Sequence, residues 1–324
     1  GFVEPISPVT YNGAEQEPIL SVTNTYGGYL TKGTDYTVTY YDNTHATNLA
    51  YAVVEFTGNY GGTLTNYFTI LPRSVTLTSG TETFTYDGNS HSNIEVAVTS
   101  EGFVSGEGFA SSGFTEVKNV CVEVTNDFTY EFLDGTLATD YNVTIVQGKL
   151  TVNPAAINPK SPTEDNPAVN SDDMPQPTEG TMLWAENVVK VYDGIPTNVV
   201  PRVYNAIDGN DFTYEYTTNS DLTGWTPYFA FTNVTEGAQK IYFRTLPQGM
   251  TPNYLAATNY AYVTITPREI MVTAADATMV FGDTSTLTAS TELSWTTSGG
   301  FVSGDGVKSV ALAYTNETII ASLP

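Results

Sequence analysis

The chain has 324 residues, 40% of them hydrophobic and 12% aromatic, so it carries enough apolar material for packed cores and is not globally disordered. Eleven Lys and Arg stand against 35 Asp and Glu, a net charge of -24 that repels phosphate backbones and anionic lipid surfaces and makes nucleic acid a poor partner. One cysteine, Cys121, permits no internal disulfide and no cysteine-based zinc site, and no apolar run approaches the roughly 18 residues of a bilayer span, so no membrane insertion is expected within this segment.

In chain order, strands dominate the pattern and helix signals are absent. The first 72 residues carry a tight-turn phrase, Tyr11-Asn-Gly13, and end in Tyr67-Phe-Thr-Ile-Leu-Pro72. A second module over 73–154 repeats the plan, with Tyr86-Asp-Gly88 near its start and Lys149-Leu-Thr-Val-Asn-Pro154 at its end. Within it Ile94, Val96 and Val98, then Val120, Val122 and Val124, then Phe128, Tyr130 and Phe132 alternate, predicting half-buried strands of an antiparallel sheet. Residues 155–181 have prolines, acids and no alternation, which predicts an extended acidic linker. A third module, 182–267, carries Tyr192-Asp-Gly194 and closes on Tyr262-Val-Thr-Ile-Thr-Pro267; a fourth, 268–324, stops short of a closing hairpin.

Each closing strand ends in proline, which donates no ladder bond, so pairing stops there. Pro72-Arg73 and Pro267-Arg268 lead straight into the next strand, which predicts joints with almost no slack. Tyr60, Tyr141 and Tyr254 precede the closing prolines by twelve or thirteen residues, as in a hairpin whose second arm is the closing strand.

One phrase occurs twice, Gly102-Phe-Val-Ser-Gly-Glu-Gly108 and Gly300-Phe-Val-Ser-Gly-Asp-Gly306. Each is followed by a Val-Lys-x-Val segment, from Val117 and from Val307, and eight residues, Phe109 to Glu116, are absent from the second copy. Such self-similarity marks a tandem array. After Asn126 the first copy runs on for 28 residues to Pro154, and after Asn316 the chain has 8, so the sequence reads as a piece of something longer whose targeting or anchoring segments lie elsewhere. The fold class expected is all-β, immunoglobulin-like β-sandwich modules in an elongated rod, arranged 2 + 2 about the linker. A β-grasp or another all-β topology stays open at this point.

The Tyr-x-Gly turns, the Gly-Phe-Val-x-Gly-x-Gly phrase and the closing strands ending in Pro-Arg resemble the MBG/YDG-type immunoglobulin-like repeats of bacterial cell-surface adhesins, over nearly the whole chain. Gly33-Thr-Asp-Tyr-Thr-Val38 and Gly58-Asn-Tyr-Gly-Gly62 add to it in module one, as do Trp225-Thr and Thr264-Ile-Thr-Pro-Arg268 in module three, whereas module four has Val280-Phe-Gly-Asp283 where Tyr-Asp-Gly is expected. The resemblance implies an extracellular, cell-attached, multi-module protein whose repeats act as stalks and sometimes as binding modules.

Residues that could carry chemistry are few. His45 and His91 sit in different modules beside turns, and no nucleophile elbow, zinc-protease motif or phosphate loop occurs; the Gly102–Gly108 loop follows a strand but opens no helix. Asp172-Asp173 and Asp208-Gly-Asn-Asp211 lack the alternating spacing of a calcium loop, so no metal, cofactor or catalytic residue is assigned. Lys118 and Lys308 align, and strand parity puts them on the side of Val120 and Val310; a core lysine suggests an intramolecular Lys–Asn crosslink, against a rim position with the ammonium in water. Trp184, Trp225, Trp295 and 22 tyrosines could stack on sugars, but mostly suit half-buried strands. Asn142, Asn233 and Asn316 begin Asn-x-Thr sequons.

Three functions follow as expectations: a non-catalytic stalk segment, a module binding mucin or other host glycoprotein glycans, and a fibre subunit exchanging a strand at the open edge of module four. The partners expected are neighbouring modules of the same longer chain and, in the second case, host glycans.

Overall fold

The structure, a computed structural model, describes residues 1–161, 174–207, 212–246, 249, 252–274 and 295–308. Among them the only helical element is a 3-10 turn, Ala138–Asp140, and no helix is long and apolar enough to cross a membrane. The chain is all-β and modular. It divides into two compact units, 1–155 with 249–253, and 156–248 with 254–324.

Modules one and three share one plan. In module one, Phe2–Val3 pairs antiparallel with Val22–Thr23, and a four-stranded sheet runs in the order Val9–Thr10, Thr63–Leu71, Thr47–Phe56, Tyr36–Tyr41. In module three, Met182–Trp184 pairs antiparallel with Arg202–Tyr204, and the four-stranded order is Val188–Val191, Thr258–Thr266, Gln239–Thr245, Tyr214–Thr217. In both, the closing strand pairs parallel with the module's second strand and antiparallel with the strand before it. The sheets are therefore mixed rather than purely antiparallel. Alternation does the sorting: Ala50, Ala52, Val54 and Phe56 are buried along one strand, and Ala261, Val263 and Ile265 along another.

Module two keeps the parallel pairing of its second strand, Glu82–Thr85, with its closing strand, Lys149–Asn153, and adds an antiparallel pair, Phe109–Ser112 with Thr129–Phe132. The segment missing from the second copy of the long phrase is thus the one that holds an added strand. Tyr60 and Tyr254 do lie between the arms of antiparallel pairs that end in closing strands. Tyr141 does not, because Tyr141–Val146 pairs parallel with Arg73–Ser79, and the closing strand pairs antiparallel with Cys121–Thr125.

Several alternation-based assignments in module two are corrected. Ile94, Val98, Val122 and Val124 are exposed, whereas Phe128 is buried, with Tyr130 and Phe132 packed on the same core. A register shift between Cys121 and Val124, with Glu123 at a φ of 52°, breaks the two-residue period there. Ile94 lies ahead of its strand, in a turn where Asn93 Oδ1 accepts the Glu95 N–H at 2.9 Å. Lys118 lies ahead of the strand Cys121–Thr125, so strand parity does not reach it: its neighbour Val117 is the buried residue, bridged to His91, and Lys118 is exposed, as is Lys308. Neither is a core lysine, so the argument for a crosslink falls.

The expected linker of 155–181 is also narrower than its composition suggests. Asn158–Pro159 pairs parallel with Met182–Leu183 as an edge of module three, Ile157 is buried, and Lys160 forms an ion pair with Glu179 at 2.8 Å. Proline and acid content is compatible with an edge strand, which needs no N–H on its solvent side. Asp172-Asp173, Asp208–Asp211, Val280–Asp283, Val310, Asn316 and the edge of module four expected to be open lie outside the described residues.

Candidate functional site: a repeated interlock between modules

The three Tyr-x-Gly turns are built alike. Each Tyr donates its backbone N–H to the carbonyl just before the closing proline: Tyr11 to Leu71 at 2.9 Å, Tyr86 to Asn153 at 2.8 Å, and Tyr192 to Thr266 at 2.9 Å. In each, the Asn or Asp that follows accepts, through Oδ1, the N–H two residues on, at 2.9 Å: Ala14 for Asn12, Asn89 for Asp87, and Ile195 for Asp193. This is the Asx turn, which explains why the middle position is Asn or Asp. The third position has φ of 79°, 77° and 72° at Gly13, Gly88 and Gly194, a region that glycine enters without steric cost.

The long phrase is a loop, as read from its glycines, and its shape also repeats. The Glu107 N–H bonds the Val104 carbonyl at 3.1 Å, and the Asp305 N–H bonds that of Val302 at 2.9 Å. Gly106 and Gly304 sit at φ of 89° and 98°.

Loop and turn meet. In unit 1–155 the Tyr11 hydroxyl donates to Glu107 Oε1 at 2.5 Å, across 96 residues of chain. A Cβ on Gly13 would stand 3.1 Å from Val104. In the second unit the Asp305 carboxylate faces the Tyr192 hydroxyl, and a Cβ on Gly194 would stand 2.5 Å from Val302. A third contact is common to both. Arg73 donates from Nε to the Gly102 carbonyl at 2.8 Å and from Nη2 to that of Glu101 at 2.7 Å. Arg268 donates from Nε to the Gly300 carbonyl at 2.9 Å and from Nη2 to that of Gly299 at 3.1 Å. The arginine after each closing proline thus clamps the base of the loop, whose valine and acid engage the turn of the preceding module.

The two joints differ in burial. Tyr11 is only 2% exposed and belongs to a hydrophobic cluster that draws Ala50, Phe68 and Ile70 from module one and Val75, Leu77, Phe128 and Tyr141 from module two. The ring of Tyr11 meets that of Tyr141 edge-on at 5.6 Å, and Phe103 packs on Tyr141 at 4.7 Å. Burial, then the hydrogen bond to Glu107, pushes the Tyr11 hydroxyl far above the ordinary tyrosine range. Burial, with the Glu107 carboxylate adding to it, pushes Tyr141 up to about 12 although its hydroxyl accepts the Val104 N–H. Tyr192 is raised as well, first by the neighbouring Asp305 carboxylate.

His45 proves to be part of this joint. Its Nδ1 lies 2.7 Å from Oδ2 of Asp140, whose other oxygen accepts the Ala46 N–H at 2.7 Å. Asp140 is fully buried, so these bonds replace the water that its carboxylate loses. His91 instead stays inside module two, with Nε2 2.8 Å from Oδ1 of Asp87. Bonds from Asn89, then the one to His91, hold the Asp87 carboxyl down at about 2.

The aromatic surfaces are largely engaged with one another. Tyr41 and Tyr51 stack at 5.0 Å, and Tyr51 leans on Tyr67 at 5.6 Å. In module three the Lys240 ammonium sits 4.1 Å from the Tyr260 ring centre, and the guanidinium of Arg244, paired with Glu215 at 2.6 Å, lies 4.5 Å from that of Trp225. Trp184 is buried against Tyr204, while Trp295 opens the strand Trp295–Ser298. Asn142 and Asn233 are exposed. No group of three or more metal-ligating side chains occurs among the described residues.

No family model matches the chain, and no curated protein does. Solved structures do match, among them the N-terminal four Ig domains of Dscam1 isoform 8.4, at 10% identity over 84% of this chain and 78% of that one, with a TM-score of 0.15. At that score the two chains do not superpose as wholes.

Proposed function

We propose that this chain is a non-catalytic stalk segment of a large bacterial cell-surface adhesin, built of MBG/YDG-type immunoglobulin-like repeats and working outside the cell to hold a distal adhesive domain away from the envelope. The observation that carries this reading is the interlock itself. The same three contacts, Tyr to acid, Gly to Val and Arg to carbonyls, recur at two joints of one chain. A protein that needed only independent binding modules would gain nothing from fixing each module to the next, whereas a spacer under shear needs its joints to resist bending. The cluster shared by modules one and two supports the same reading, because extension that separates the modules must also open a core.

Binding of mucin or other host glycans draws less support at Tyr51, Trp225 and Tyr260, whose rings carry neighbouring side chains on one face, and would fall instead to exposed rings such as Tyr26, Tyr29, Tyr67 and Tyr228.

Mechanical unfolding tests the stalk reading. Pulled from its ends, the pair of modules in residues 1–154 yields in one step that releases about 500 Å of chain, at roughly 3.3–3.6 Å per residue. Two separate steps of about half that length would show that the modules bear load independently and would remove the mechanical argument.

A further inference from the structure

The interlocking loop has a fixed place in the module: it follows the strand that pairs with the module's opening strand. In module two, Arg73–Ser79 pairs with Val96–Ser100, and the loop begins at Glu101. In module four, Met271–Ala274 pairs with Trp295–Ser298, and the loop begins at Gly299. In module one, Phe2–Val3 pairs with Val22–Thr23, and the segment in that place is Asn24-Thr-Tyr-Gly-Gly-Tyr29.

This segment is pre-shaped. Asn24 Oδ1 accepts the N–H groups of Tyr26 and Gly28, each at 2.9 Å, the Gly27 N–H returns to the Asn24 carbonyl at 3.1 Å, and Gly27 has a φ of 80°. Yet its rings face water. Tyr26 is 96% exposed and Tyr29 78%, and Phe2, on the strand paired with Thr23, is exposed beside them. The corresponding side chains of module two, Phe103 and Val104, pack against a core cluster. An ordered loop presenting two aromatics to solvent, with an exposed Phe2 on the strand paired with its base, is the kind of apolar surface that marks an interaction site.

We propose that the Asn24–Tyr29 loop is a docking plug, and that its partner is the Tyr-x-Gly turn of another module of this same kind, approached as Phe103-Val104 approaches Tyr11-Asn-Gly13. The occupant follows from continuity: the same position in the fold makes this contact in two other modules of the chain. Module one departs in one respect. The loop has no acid, so the partner's tyrosine gains ring contacts and backbone carbonyls rather than a carboxylate. The proposal rests on the stalk reading, in which modules continue a linear array.

Two measurements test it. In the full chain, replacing both tyrosines, Tyr26→Ser with Tyr29→Ser, leaves the melting temperature within about 1 °C, because rings that touch nothing stabilise nothing. A fall of several degrees would mean that they pack within module one, and would overturn the proposal whatever the second result. The second compares nitration of Tyr26 and Tyr29 by tetranitromethane in the full chain and in a longer one, where residues 1–267 carrying the two serine changes precede it through an arginine, as at Pro267-Arg268. Docking slows nitration about tenfold, and Gly194→Val in the leading copy restores it. Equal rates in the two chains would overturn the proposal. Neither measurement disturbs the joints between modules one and two or between modules three and four of the full chain, so failure here leaves the single-step unfolding test of the stalk reading to be decided separately.

Discussion

The joint between modules one and two and the joint between modules three and four use the same three contacts and surround them differently. At the first, Tyr11 is sealed beneath Phe103 and Tyr141, the core continues across the boundary, and the His45–Asp140 pair adds a second point of attachment. At the second, Asp305 is exposed, and a cleft of about 540 Å³ opens between Tyr192, Val234, Pro267, Phe301 and Asp305. The common contacts set how one module meets the next, since they fix a turn, a loop and the start of a strand. What is packed around them sets the cost of parting the modules. Modules joined this way share one kind of joint in two settings, and the first joint is expected to be the stiffer.

The contrast is broken most strongly at the glycines. Valine at position 13 or 194 must adopt a left-handed backbone, costing about 1–2 kcal/mol, and its side chain displaces the loop valine that faces it. For Gly13→Val the displaced loop opens the shared cluster, so chemical denaturation should show a loss of about 3 kcal/mol in unit 1–155. For Gly194→Val the loss should stay near the backbone cost, because the surroundings are open. Equal losses would mean that the shared cluster contributes nothing.

Removing one hydroxyl is a smaller perturbation. Tyr11→Phe leaves a part-buried carboxylate oxygen without its donor and should cost about 1–3 kcal/mol, whereas Tyr192→Phe faces an exposed acid that water can serve and should cost clearly less. Thermal unfolding of the two variants checks the order.

Alkaline titration gives the smallest difference and works through the same groups. Tyr11 and Tyr192 both hold their protons above the ordinary value of 10.0 in the folded state. The folded chain therefore binds more protons than the unfolded one above that pH, so this share of stability is complete below pH 10 and falls as the pH rises further. The fall should be steeper for unit 1–155, where burial also raises Tyr36, Tyr40 and Tyr141, than for the second unit, where it also raises Tyr214 and Tyr216. Denaturation midpoints measured from pH 9 to 11.5 would sharpen the comparison, and a flat profile would remove tyrosine from the account.

Much of this was written in the sequence, but unevenly. The closing prolines marked where the strands 63–71, 149–153 and 258–266 end, and in 47–56 and 258–266 the buried residues fall where a period of two puts them. Alternation failed at 121–124, because a bulge resets parity without leaving a composition signal, and the inference about Lys118 failed because that residue precedes the strand. Composition suggested a linker at 155–181, though the edge strand at Asn158–Pro159 is too short to show a period. The Tyr-x-Gly turn and the Gly-Phe-Val loop were both legible as motifs, each with a local reason for its glycines. That one receives the other was not, since a contact between Tyr11 and Glu107 spans 96 positions and no local pattern encodes it. The signal available was their joint recurrence, Tyr-x-Gly then Pro-Arg then Gly-Phe-Val, in the same order at both joints. His45 had no such signal, because its partner, Asp140, occurs at one joint alone.

The interlock is expected to fix adjacent modules to one another. It is tested most directly by pulsed dipolar distance measurements between one spin label in module one and one in module two of the full chain. With the joint intact the account predicts a single narrow distance distribution, which broadens when Gly13→Val is introduced. A distribution already broad in the unmodified chain, with both modules folded, would contradict it.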